Sequence, residues 1–258
     1  MVHSTAFDWF SRAGFVARGL VYALVGALAV CLAVGLGGKA TNQQGALETV
    51  DRQPFGHVLL IAIAAGLAGY ALWRLVRAIL GRGPEAGRDS VIDRVAGAGS
   101  GIFYALLAYG TVQIIGGSRP SSSVPKKTAG VFAWPGGRWA ILIAGLVMIG
   151  VGLYQGYRAV TAEFLEDAKT GEMSEGTQHA FTTVARIGHL ARMVVFSLVG
   201  LFLVVAAVQY DPKKAEGLGG VLGRLLREPG GNALMGVVAA GLVAFGLYSM
   251  ADARYHRL

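Results

Sequence analysis

The sequence predicts an all-α polytopic membrane protein, with six transmembrane helices arranged as three parallel two-helix hairpin repeats. Three observations predict this fold class. The first is composition: of 258 residues, 54% are hydrophobic and only 15% are charged, with mean hydropathy +0.54. Soluble domains carry roughly 25% charged residues. The second is length: six apolar stretches each approach the roughly 20 helical residues that cross about 30 Å of hydrocarbon. The third is repetition, because the same residues recur at the entries and exits of alternate stretches.

The six spans are Ala13–Leu36, His57–Trp73, Val95–Gly117, Trp139–Tyr157, Met193–Tyr210 and Ala233–Ala251. They must be helices, since an isolated strand leaves backbone groups unpaired in lipid. Only the first holds a charge well inside it, Arg18, and the span bodies contain no Asp or Glu. The four tryptophans, Trp9, Trp73, Trp134 and Trp139, stand near span ends, where an amphipathic indole belongs. The 39 glycines suit close helix packing in a bilayer. The first span is too long for the apolar part of a cleaved signal peptide, and its pattern recurs downstream. Cys31 is the only cysteine and lies in an apolar run, so a structural thiol is expected and a disulfide framework is excluded.

The odd-numbered spans share an entry. The first runs Arg12…Arg18-Gly19…Tyr22, the third Arg94…Ser100-Gly101…Tyr104, and the fifth Arg186…Arg192-Met193…Phe196. Each has an aromatic residue ten positions after its first arginine. The even-numbered spans follow Pro54-Phe55-Gly56, Pro135-Gly136-Gly137 and Pro229-Gly230-Gly231, and end on Tyr70, Tyr154 and Tyr248. Four residues on come Arg74, Arg158 and Asp252, and that spacing places each pair on one helix face. The repeats divide the chain as 1–82, 83–170 and 171–258, one membrane domain in all. A two-span unit returns the chain to its starting side, so the copies are parallel. Three hairpins that close into a ring make a pseudo-threefold bundle.

This pattern resembles a bacterial membrane family known as a domain of unknown function, numbered 1206. The resemblance covers nearly the whole chain and rests on the arginine–glycine–tyrosine entries and on Gln53-Pro54-Phe55-Gly56 with its echoes. Three such hairpins in one chain is that family's arrangement, which implies the fold and a bacterial inner-membrane location. It implies no activity. The copies depart from one another at Ser100, Met193 and Asp252.

The side with both termini holds 13 Lys and Arg and the other side 10. That bias predicts cytoplasmic termini. The recurring Arg12, Arg18, Arg94, Arg186, Arg192, Arg74 and Arg158, with Tyr70, Tyr154 and Tyr248, then form the candidate polar layer at the cytoplasmic face. Guanidinium groups gathered about an axis can bind carboxylate or phosphate bidentately. Their plainer role is to anchor topology and contact anionic headgroups of the bilayer, with long stems reaching the interface. The net charge of +8 lies at span ends, so nucleic acid is not an expected partner. Homo-oligomers are compatible with the pattern.

No catalytic residues, metal ligands or cofactor are predicted. No HExxH and no Ser-His-Asp arrangement is present, and Gly97-x-Gly99-x-Gly101 lacks the strand context of a nucleotide loop. His189, between Arg186 and Arg192, is expected as a hydrogen-bonded histidine. Between the spans, Val221–Arg227 reads as an amphipathic surface helix with a counterpart at Ala46–Val50, Ser118–Thr128 as flexible loop, and Glu163–Lys169 as a polar extension of the fourth helix. The expected functions are a small-solute or anion channel or transporter, or a non-catalytic membrane scaffold or partner subunit. An open axis favours the first and a filled axis the second.

Overall fold

The computed structural model describes residues 5–37, 40–80, 91–118 and 123–256. Each repeat has the same three parts: a long helix, a short amphipathic helix and a second long helix. The first repeat is α1 (Thr5–Ala33), α2 (Gln43–Asp51) and α3 (Gly56–Leu80). The second is α4 (Val91–Ile115), α5 (Val124–Phe132) and α6 (Gly137–Thr161). The third is α7 (Glu175–Gln209), α8 (Leu218–Arg227) and α9 (Gly231–Tyr255). All six long helices are long and apolar enough to cross a membrane, so the chain is a multi-pass membrane protein. A 25-residue helix is roughly 37 Å long, enough to span about 30 Å of hydrocarbon with a turn to spare. At 35 residues, α7 extends well beyond the hydrocarbon.

The short helices stand where the sequence places two of them, at α2 and α8. The stretch expected as loop, 118–128, instead runs into α5 from Val124; residues 119–122 lie outside the described set. Ser123 caps this helix by accepting from the Lys126 amide at 3.4 Å, Pro125 occupies its first turn, and Thr128 and Phe132 are buried. Proline at the first turn gives up no hydrogen bond there. The polar extension expected after the fourth span is also corrected. Ala162 adopts φ 54° and ends α6, and Phe164 in the following 3-10 turn folds back to bury its ring completely. That ring stacks on His189 at 5.3 Å between centroids. Burying an apolar ring outweighs one more helical turn into solvent.

The turn before each second long helix is one solution used three times. The residue after proline has positive φ in every copy: Phe55 at 61°, Gly136 at 78° and Gly230 at 72°. The next residue is always glycine, and a Cβ there would strike the carbonyl of Val50, Val131 or Leu225. The chain thus turns directly from the amphipathic helix into the membrane.

The long helices pack in the order α4, α3, α1, α9, α7, α6. In a closed ring of three hairpins every helix would have two neighbours. Five of the six seams are made, but among the described residues α4 and α6, the two helices of the middle hairpin, form no packed seam. The row is curved, because Arg192 of α7 reaches across α9 to sit 5.3 Å above the Tyr22 ring of α1. At the loop face the starts of α2, α5 and α8 meet around one cavity of about 200 Å³, lined by Asn42, Ser123 and Gly217 among others. The inner side of the curve is filled. Tyr22, Val25 and Ala29 of α1 join Leu222 of α8 and Met235, Ala239 and Leu242 of α9 in one core. A second core holds Phe15, Val21, Leu60, Leu67, Tyr70 and Tyr104.

The packed seams are glycine contacts. A Cβ on Gly19 would lie 2.7 Å from the Gly246 carbonyl, and one on Gly200 would lie 2.6 Å from that of Gly145. Such approach supplies dispersion where lipid supplies no hydrophobic drive. Gly99 of α4 and Gly150 of α6, at the open side, have nothing within 4 Å. Gly137→Ala is therefore expected to destabilise the protein by about 2 kcal/mol through overpacking at the turn. Gly150→Ala should be neutral or add up to ~1 kcal/mol of helix stability. Thermal unfolding of both variants in detergent checks the contrast.

Candidate functional site

Two of the recurring arginines come together, Arg18 and Arg192, which both stand against the Phe245 ring. The structure sorts the recurring polar residues into distinct settings, each set by what the facing helix provides.

Arg18 is the most enclosed, only 5% exposed. It stands on the inner side of α1, one turn beyond Gly14, whose lack of a side chain lets α1 press against Tyr70 of α3. Its Nε donates to Ser249 Oγ at 2.7 Å, and its Nη1 donates to the Tyr70 hydroxyl at 2.5 Å. Its Nη2 lies 3.7 Å from Asp252 Oδ2. Ser249 Oγ in turn donates to the Phe15 carbonyl at 2.9 Å. The guanidinium carbon also stands 4.9 Å from the Phe15 ring and 5.4 Å from that of Phe245. A buried charge is tolerated when it is paired and its remaining protons are bonded, and all three nitrogens of Arg18 are engaged. Asp252 also lies 3.1 Å from His256 Nδ1. The cluster ties α1 to α3 and to α9, joining the first membrane helix to the last.

This corrects the expectation that the spans carry no acidic group. Asp252 lies within α9, because that helix continues to Tyr255, past the apolar stretch the sequence marks. Ser249 carried no sequence signal. The available signal for Asp252 was its substitution for Arg74 and Arg158 in the repeat pattern, a sign reversal at one copy.

Arg74 donates from Nε to the Tyr70 hydroxyl at 3.0 Å, so Tyr70 accepts from two guanidinium groups. Arg158 is largely buried and pairs with the segment that follows α6. Its Nη2 donates to Asp167 Oδ2 at 2.9 Å, and its Nε stands 3.7 Å from Glu163 Oε2. Arg192 makes no hydrogen bond among the described residues. Its guanidinium carbon stands 4.2 Å from the Phe245 ring, 4.7 Å from Phe196 and 5.3 Å from Tyr22. Arg12 is half-buried and donates to the Arg254 carbonyl at 3.4 Å. Arg94 and Arg186 are exposed on α4 and α7.

The three tyrosines share no cavity. Tyr70 is fully buried in the core beside α1, and Tyr248 is buried among Phe164, Phe181, His189 and Phe245. Tyr154 is exposed on α6 and donates to Glu163 at 3.3 Å. His189 is hydrogen-bonded as expected, with Nδ1 2.8 Å from the Ala185 carbonyl. The two cavities described, of about 90 and 200 Å³, both lie at the loop face, and neither is lined by a residue of the recurring polar set.

Comparison with known proteins follows the same threefold pattern. The family model described as Domain of Unknown Function (DUF1206) matches residues 13–81, 95–162 and 187–256. The chain is 30% identical over 251 residues to an uncharacterized protein, YxxB, of Bacillus subtilis (strain 168), covering 96% of this chain and 91% of the relative. No solved structure matches.

Removing one partner of the buried pair leaves the other uncompensated, at a cost of roughly 3–5 kcal/mol. Asp252→Asn is expected to lower stability by an amount near the bottom of that range, since Ser249 and Tyr70 still hold Arg18. The double change Arg18→Met with Asp252→Leu should recover most of the loss. A double-mutant cycle on unfolding in detergent checks this, and additive losses from the two sites contradict it.

Proposed function

The chain belongs to the Domain of Unknown Function (DUF1206) family, and from that premise we propose that it is a non-catalytic membrane scaffold, completed by a second copy of itself along the open side between α4 and α6. The observation that carries this reading is the missing seam of the middle hairpin. In the first hairpin, Gly66 of α3 lies against Ala17 of α1, where an added Cβ would come within 2.7 Å of the alanine's. The repeat spacing puts Gly99 and Gly150 at the corresponding places of the middle hairpin, and both face open space. The helices around them present Ile102, Phe103 and Leu106 on α4, and Ile143, Leu146 and Val147 on α6. A twofold pairing of α4 with the partner's α6 fills both open edges at once, in the self-complementary manner of most homodimers.

Passage of a small anion along the axis has the filled core against it, since Tyr22, Val25, Leu222 and Leu242 occupy the inner side. The scaffold sits in a bacterial inner membrane with both termini in the cytoplasm. The 13-to-10 excess of Lys and Arg on the terminal side and the bacterial relative support that placement.

In a Cys31→Ser background, one population carrying Leu106→Cys and another carrying Ile143→Cys are co-expressed under different tags. Oxidation in isolated membranes should yield a mixed-tag disulfide dimer, and native mass spectrometry of the uncrosslinked protein should give twice the monomer mass. A monomer in both measurements overturns the scaffold reading.

A further inference from the structure

Buried polar atoms without partners are rare in folded proteins, and each one calls for a missing ion, a water or a functional reason. Among the described residues five such side-chain atoms occur, and four belong to just two helices: Gln155 Oε1 and Arg158 Nε on α6, Arg192 Nε and Ser197 Oγ on α7. They lie at one level. A Cβ on Gly152 would stand 2.5 Å from Ser197 Oγ, and Gly156 packs on Met193. Because the helices are antiparallel, these two contacts set Arg192 level with the stretch between Gln155 and Arg158. Along the helix axes the four positions therefore span roughly 8 Å, at 1.5 Å per residue.

The seam between α9 and α1 is this seam's counterpart in the repeat, and the comparison explains the orphans. There Arg18 meets Ser249 and Asp252. Here the same places hold Arg192, Gln155 and Arg158. The carboxylate that would neutralise this arginine has become a second arginine. Arg158 draws its counterions, Asp167 and Glu163, from the segment after α6. Arg192 has none among the described residues, and rests on three aromatic rings. Ring faces attract a guanidinium group, but they accept none of its directional hydrogen bonds. An ionisable group so placed in a membrane helix marks a functional site by default.

We propose that the α6–α7 seam, near the face that carries the termini, binds an oxyanion of the phosphate type, with Arg192 as its principal donor. Arg158 Nε supplies a second donor, and the Ser197 hydroxyl supplies a neutral hydrogen bond. A phosphate group supplies the missing counterion and accepts from the arginine and serine donors left open, as Asp252 and Ser249 do for Arg18. The group arrives either as a free anion or as the headgroup of an anionic lipid; both present the same oxygens. The site is independent of the pairing proposed for the α4 and α6 edges.

The test uses the full chain in nanodiscs of phosphatidylcholine, in chloride-free buffer. One arm titrates inorganic phosphate and follows thermal unfolding; the other mixes in phosphatidylglycerol and counts retained lipid by native mass spectrometry. The wild type should respond in at least one arm. Saturation by phosphate identifies a free-anion site, and response to lipid alone identifies a headgroup site. Arg192→Met should weaken that response at least about tenfold, the loss expected for a charge-assisted bond. Ser197→Ala, a small change at a packed position, should weaken it by a few-fold while unfolding normally without ligand. No response of the wild type in either arm overturns the proposal. So does an equal response of wild type and both variants.

Discussion

A guanidinium group buried inside the helix bundle, near the terminal face, governs how the two ends of this chain meet. Arg18 cannot stand buried alone, because an unpaired buried charge is strongly destabilising. Its partners come from helices distant in sequence: Tyr70 on α3, and Ser249 and Asp252 on α9. Meeting them requires α1 to lie between α3 and α9. It also requires close approach, which Gly14, Gly19 and Gly246 permit. Aromatic rings from Phe15, Tyr70 and Phe245 then exclude lipid from the charge. The glycine seams and the polar cluster are thus one arrangement, since neither position could change alone.

The three repeats carry three versions of this seam. Where α9 meets α1, arginine faces aspartate and the charge is closed off. Where α6 meets α7, arginine faces arginine, and among the described residues a buried polar atom on each helix makes no hydrogen bond. Where α3 meets α4, Ser100 stands in place of the buried arginine, and Arg74 bonds to Tyr70. The backbone packing between α9 and α1 recurs between α6 and α7: Gly26 against Ala239, and Gly200 against Gly145. The repeats are therefore alike in helix contact and unlike in charge. Packing can be preserved with small residues at a few positions, whereas a charge must be matched at each seam individually.

Much of the fold was legible in the sequence, because it follows from periodic features. Six apolar stretches, three Pro–Gly-type turns and the recurring Arg and Tyr positions give the spans, the hairpins and their parallel order. The amphipathic α8 announced itself by Leu222, Arg224, Leu225 and Arg227. By contrast α5 was hidden, since Ser123, Pro125 and two lysines resemble a loop, although serine before proline is also how a helix begins. The partition of the polar residues was less legible. A repeat pattern shows which positions correspond, but not that Tyr154 faces outward while Tyr70 and Tyr248 are buried. That depends on the α4–α6 seam, and a seam is a property of two surfaces. Gly99 and Gly150 look in the sequence like every other helix-packing glycine.

The open middle hairpin is the feature that most separates this fold from a closed pseudo-threefold ring, and a distance measurement tests it directly. Leu24 and Leu59 in the first hairpin correspond in the repeat to Leu106 and Ile143 in the second. Spin labels are placed on each pair in the Cys31→Ser protein, diluted with unlabelled chain so that only intramolecular distances register. The packed first hairpin should give a short separation, set by helices about 8–10 Å apart. The second should give a separation longer by at least about one helix diameter, ~10 Å. Equal distances in the two hairpins would mean that α4 and α6 close the ring within a single chain.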